Sequence, residues 1–168
     1  PNGEYCLPYA FGTVGILYNR KVLGKDITGW KDLIETVKAK NLKFTLLDDM
    51  REVLGIGLML NGHTVNSTDP GELQQAANTV IAMKPYVAAF TYDSRPMVQS
   101  GDIAAAHFFV GAMIDVFGNP KDLGYVIPEE GATMYQEDMC ILKSAPNKDN
   151  ALKFMQFYTK PEIAALKL

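Results

Sequence analysis

The chain has 168 residues, 48% of them hydrophobic and 21% charged, an ordinary globular composition with enough length for one well-packed domain. Its 16 basic and 19 acidic side chains leave a net charge of −3, without the basic excess that a nucleic-acid surface requires. No apolar run is long enough to cross a bilayer as a helix.

Residues 5–18 are apolar and β-prone and predict an extended strand, bent at Pro8 and Gly12. Trp30, Leu33, Ile34 and Val37 recur at helical spacing, with Thr28 placed to cap that helix. Residues 43–47 form a short apolar strand pattern that runs into Asp48-Asp49, after which Val53, Leu54, Gly57 and Leu58 line one helix face. Asp69-Pro70-Gly71-Glu72 is a helix start: a cap, a first-turn proline and an acid at the third position. Leu73, Ala76, Ala77 and Val80 face inward from it, and Pro85 closes it. Strands are predicted over 87–92, 103–109, 123–127 (ended by Pro128) and 138–142. A last helix is predicted over 147–158, with Ala151, Phe154, Met155 and Phe157 on its apolar side, before Pro161 interrupts. Strands alternating with helices predict an α/β domain.

Residues with chemical potential are few. Cys6 and Cys140 stand far apart and read as two small buried apolar side chains, so they say nothing of the compartment. His63 lies in a loop pattern and His107 in an apolar strand, and neither has metal or catalytic spacing. A phosphate loop, a nucleophile elbow, an HExxH pattern and a CxxC pair are all absent from the sequence, and Gly55-Ile56-Gly57 sits mid-helix. No catalytic residue, metal site or cofactor is expected. The informative stretch is Asp48-Asp49-Met50-Arg51-Glu52, where a strand hands over to a helix. Ligands of open α/β sheets collect outside the carboxyl ends of the strands. Asp49 and Glu52 are also what an ordinary capping box looks like, and one acid can cap while the other meets a cation. Phe108-Phe109, before a Gly111 turn, and Tyr135-Gln136-Glu137-Asp138, at the expected start of a strand, add aromatic faces and carboxylates. Such groups suit alkylammonium ligands, although each aromatic alone also suits plain packing.

Several stretches together resemble a known family. They are Tyr5-Cys6-Leu7-Pro8-Tyr9, Phe11-Gly12-Thr13, Tyr18-Asn19, Gly29-Trp30-Lys31-Asp32-Leu33 and Leu47-Asp48-Asp49-Met50-Arg51-Glu52-Val53. Asn66-Ser67-Thr68-Asp69, Ile127-Pro128-Glu129-Glu130-Gly131 and Ala145-Pro146-Asn147-Lys148 complete the set. In order and spacing the chain resembles the periplasmic spermidine/putrescine-binding proteins, the receptors of polyamine ABC importers. The resemblance implies a type II periplasmic-binding-protein fold: two lobes, each a central mixed sheet flanked by helices, with the polyamine held between them. It implies that Asp49 and Glu52 bind amino groups, that Phe109 stands where the family has a stacking Trp, and that Tyr135 and Glu137 stand for a Trp and an Asp. These replacements keep the chemical types while changing reach.

The resemblance also sets the expected organisation: residues 1–11 a hinge or crossover strand, 12–127 the second lobe, and 128–168 a returning hinge strand and a helix that packs on the first lobe. With Pro1-Asn2-Gly3-Glu4 at its start and a helical pattern at Leu168, the chain reads as a piece of a longer receptor. Its implied setting is periplasmic, or extracellular and membrane-anchored. Its implied partners are a polyamine and the membrane permease of an ABC importer. The piece itself is expected to self-associate through apolar surface that the other lobe covers. Other readings are the same fold holding another small organic cation or a neutral solute, and an enzyme on a similar scaffold, which would need a nucleophile–base pair or metal cluster that the sequence lacks.

Overall fold

A computed structural model describes residues 6–167; Tyr5, at the start of the expected first strand, and Leu168, in the final helical pattern, lie outside the described residues. The elements in chain order are β1 Cys6–Asn19, α1 Arg20–Leu23, α2 Trp30–Lys40, β2 Phe44–Leu46, α3 Met50–Leu60, α4 Pro70–Met83 and β3 Val87–Phe90. They continue with α5 Arg95–Ser100, β4 Ala105–Phe109, α6 Met113–Gly118, β5 Leu123–Val126, β6 Met134–Cys140, α7 Lys148–Tyr158 and α8 Pro161–Ala164. The chain divides into two compact units. The larger is Thr13–Met134; the smaller takes the residues up to Gly12 and those from Tyr135 onward.

In the larger unit the strand order is β3-β2-β4-β1-β5. β2 runs parallel to β3 and β4, while β1 is antiparallel to β4 and β5. Successive side chains of a strand point to opposite faces, so neighbouring residues serve different cores. Ile16, Tyr18 and Ala105 enter one cluster with Trp30, Leu33 and Val37 of α2 and Val53 and Ile56 of α3. Leu17, Ala106 and Leu123 enter a second cluster with Val98 and Ala112. A sheet covered on both faces explains why these strands read as near-continuous apolar runs. Each fully buried aliphatic side chain here contributes about 1.5–3 kcal/mol of transfer free energy.

Local signals that depend on near neighbours match the structure. Asp69 caps α4 by accepting from the Glu72 N–H at 3.0 Å. Gly57 lies where a Cβ would collide with the Ala76 backbone, so α3 and α4 pack with their main chains close together. The cap predicted at Thr28 is corrected: the N-cap of α2 is Gly29, which offers no side chain. The Glu130 carboxylate does that work instead, accepting from the Trp30 N–H at 3.0 Å and the Lys31 N–H at 2.9 Å. A Cβ on Gly29 would run into this carboxylate. The short helices α1, α5 and α6 carry too few residues for a periodic signal and escape sequence reading.

In the smaller unit, β6 pairs with β1. The strand predicted over 138–142 instead begins at Met134 and ends at Cys140. The reading of the cysteines is also corrected: Cys6 and Cys140 form a disulfide, because pairing of β1 with β6 brings together residues remote in sequence. On α7, Met155 is buried but Phe154 and Phe157 stay half exposed. Phe154 stacks on Tyr158 and Tyr158 on Tyr9, with ring centroids 5.2 and 5.6 Å apart.

Candidate functional site

Strand direction decides where the site forms. Because β2, β3 and β4 are parallel, their carboxyl ends share one edge of the larger unit's sheet. At that edge β2 runs into Asp48-Asp49, β3 runs into Tyr92, and β4 ends at Phe109. Thr45 pairs with Ala106, so Phe109 is level with Asp48. β1 enters the sheet at the same edge, with Val14 opposite Phe109.

Asp49 is extended and caps α3: its Oδ1 accepts from the Arg51 N–H at 2.8 Å and the Glu52 N–H at 3.1 Å. The capping role read from the spacing is therefore present. One turn in, Glu52 is half-buried. Its Oε2 accepts a hydrogen bond from the Thr133 hydroxyl at 3.0 Å and lies 3.8 Å from His107 Nε2. Burial raises the Glu52 pKa; the Thr133 hydrogen bond opposes this, Asp49 adds to it and Arg51 opposes it. Although a helix N-terminus favours negative charge, lost hydration outweighs that benefit here.

His107 is a buried strand residue whose Nδ1 has no hydrogen-bond partner among the described residues. Burial pushes its pKa down to about 3, with the Asp49 charge opposing the shift. The ring is therefore neutral near pH 7, and its approach to Glu52 is a contact between a carboxylate and a neutral imidazole. The Trp30 ring packs on it edge-on, with centroids 5.3 Å apart. The buried His107 ring thus lies beside the half-buried Glu52 carboxyl, whose perturbation comes first from burial. The other histidine, His63, lies 3.1 Å from Gln75 Oε1 and 3.4 Å from Glu72 Oε1.

Phe109 is half-buried, and Tyr92 stacks on it with planes 7° apart and centroids 6.3 Å apart. Phe108 meets Phe109 edge-on at 5.7 Å. Tyr92 was invisible as a site residue in the sequence, because an aromatic just past a strand has no distinguishing spacing. Only the parallel pairing of β2 with both β3 and β4 brings it to Phe109. Among the described residues there is no group of three His, Cys, Asp or Glu side chains able to hold a metal.

Tyr135 and Glu137 belong to the smaller unit, within β6 rather than at its start. They are two apart on one strand and so share a face. The Tyr135 ring lies over Gly12 of β1, where a Cβ would strike the phenol; this close approach is the use of that glycine. Burial raises the Tyr135 pKa, and the Glu137 charge adds to the shift. The larger unit thus gathers Asp49, Glu52 and Phe109 at one sheet edge, while Tyr135 and Glu137 stand on the other unit.

The family model of the bacterial extracellular solute-binding proteins matches residues 2–167. The chain belongs to this family. It is 32% identical over 169 residues to the spermidine/putrescine-binding periplasmic protein of Escherichia coli (strain K12), a match that covers 98% of this chain and 47% of that protein. Its fold is similar to that of the spermidine/putrescine ABC transporter substrate-binding protein PotD of Streptococcus pneumoniae, with a TM-score of 0.79, 31% identity, and coverage of 98% of this chain and 50% of that one. It is also similar to the TpPotD lipoprotein of Treponema pallidum, with a TM-score of 0.85, 32% identity, and coverage of 98% and 53%. The chain thus spans about half the length of these relatives. The family and these relatives are substrate-binding components of transporters rather than enzymes. In this solute-binding protein the mixed sheet flanked by helices is the periplasmic-binding-protein architecture.

Proposed function

We propose that this chain is part of an extracytoplasmic receptor that captures a polyamine such as spermidine or putrescine and hands it to the permease of an ABC importer. The observation that carries this reading is the pairing of carboxylates with stacked aromatics at one strand edge. Asp49 and Glu52 offer negative charge for ammonium groups, and Phe109 with Tyr92 offers flat apolar faces for the methylenes between them. Ammonium groups are attracted both to carboxylates and to aromatic faces, so the combination suits a flexible dication better than a sugar or an anion. On the smaller unit, Tyr135 and Glu137 offer the same two chemistries. The relatives named for spermidine and putrescine support the ligand class.

The Cys6–Cys140 disulfide supports an oxidising setting outside the cytoplasm. No described helix is long and apolar enough to cross a membrane. In the smaller unit Phe11, Leu142 and Phe154 each expose a large apolar side chain, which supports the expected self-association.

The direct test is isothermal titration of the protein in its full natural length with spermidine, putrescine and a neutral sugar. Saturable binding of a polyamine and not of the sugar is the expected result. Absence of heat and of any thermal shift with either polyamine removes the reading.

A further inference from the structure

Thr133 is singled out by no motif, yet it is the residue that holds Glu52. Its hydroxyl donates to Glu52 Oε2 at 3.0 Å, and its carbonyl accepts from the Val14 N–H at 3.0 Å. The donor is therefore anchored by its own backbone to β1, at the register position facing Phe109. Among the described residues Glu52 Oε1 takes no hydrogen bond, so Thr133 occupies one carboxylate oxygen and leaves the other for a cation. Of the charged and titratable groups around this carboxyl, Asp49 and Arg51 lie on its own helix start, and the neutral His107 faces it from β4. Thr133 is the neighbour that both donates to it and carries no charge.

We propose that Thr133 is a positioning residue for ligand capture, fixing Glu52 through one oxygen so that the other meets a ligand ammonium. This rests on the polyamine reading of the Asp49–Glu52 edge. A fixed acceptor loses less freedom when it pairs, which raises affinity without adding a contact. The hydrogen bond also favours the charged carboxylate in a place where burial disfavours it. Removing the hydroxyl therefore raises the Glu52 pKa, and affinity for a cation fails at a higher pH.

The test compares Thr133→Val, which keeps the shape and loses the donor, with Thr133→Ser, which keeps the donor. Two readouts are taken on the full-length protein: carboxyl NMR titration of Glu52 without ligand, and calorimetric titration with putrescine and spermidine across pH 5 to 8. The expected result is a Glu52 midpoint raised by about one pH unit in Thr133→Val. Polyamine affinity falls about tenfold or more in the same variant, and both properties return in Thr133→Ser. An unchanged midpoint and affinity in Thr133→Val overturns the proposal. So does a moved midpoint with unchanged affinity, or a loss that Thr133→Ser does not restore. If Thr133→Val does not fold, Thr133→Ala, which also lacks the donor, is measured in its place and the same outcomes decide. Failure of the wild-type protein to bind any polyamine defeats the underlying reading as well, and that result is separate from the carboxyl titration.

Discussion

Tyr92 and Phe109 lie face to face across the carboxyl ends of β3 and β4, with ring planes 7° apart. Neither ring is held by a sequence neighbour that predicts the pairing; the stack exists because β2 pairs in parallel with both strands. A stacked pair presents a larger and stiffer apolar face than either ring alone.

Phe109→Ala is expected to weaken polyamine binding about fivefold to thirtyfold, the range of a desolvated cation–aromatic contact. Tyr92→Ala is expected to cost about twofold to tenfold by loosening its partner. The double variant should lose less than the product of the two, because the rings act together. Calorimetric titration of all three variants checks this; strict additivity counts against a coupled pair.

Asp49 caps α3, and the proposed polyamine reading gives it a second, separable job. Asn is as good an N-cap as Asp, so Asp49→Asn should leave the melting temperature almost unchanged while removing a negative charge. Polyamine affinity should fall by about 2–5 kcal/mol if that charge pairs with a buried ammonium. Asp49→Ala should lose affinity and in addition about 1 kcal/mol of stability. Denaturant melts and titrations on the same samples separate the two effects. Equal affinity of Asp49→Asn and wild type would show that Asp49 caps and does nothing more.

Glu130 closes the open end of α2 from a distance. Glu130→Ala should cost about 1.5–3 kcal/mol, the value of hydrogen bonds to a charged acceptor. Gly29→Ala should destabilise as well, since its new methyl displaces the same carboxylate. The two changes should not add, and a denaturation double-mutant cycle measures the shortfall. Full additivity would mean that the Gly29 effect is unrelated to Glu130.

His107 should make the fold acid-sensitive. Its folded pKa of about 3 lies below the unfolded value near 6.5, so the unfolded state takes up the proton first. Its contribution is fully present above about pH 6.5 and is lost as pH falls toward 3, with a slope of at most about 1.4 kcal/mol per pH unit. Glu52 runs the other way: with its pKa raised by burial, its contribution is present at low pH and is lost as pH rises through the folded value. Thermal melts from pH 7 to pH 4 should therefore show a shallower acid loss for His107→Met than for wild type. Parallel slopes would mean that His107 is not the residue responsible.

What the sequence determined by itself was whatever depends on near neighbours. The alternation of strands and helices, the start of α4 at Asp69 and the cap of α3 at Asp49 are set by patterns spanning a few residues, and all are present in the structure. Their physics is local: a side-chain oxygen satisfies backbone N–H groups two or three residues ahead. Residue type and the end of a strand suggested Asp49, Glu52 and Phe109 as candidates, and strand pairing places all three at one sheet edge. The tertiary structure alone decided the rest. Thr28 looked like a cap until Glu130 took the α2 N–H groups, and Cys6 and Cys140 looked like inert apolar residues until strand pairing joined them. Tyr92 reached Phe109 from the end of another strand, and Thr133 reached Glu52 across a sequence separation of 81. Such contacts leave no periodic trace, because sheet pairing and not sequence spacing sets the distance between their partners.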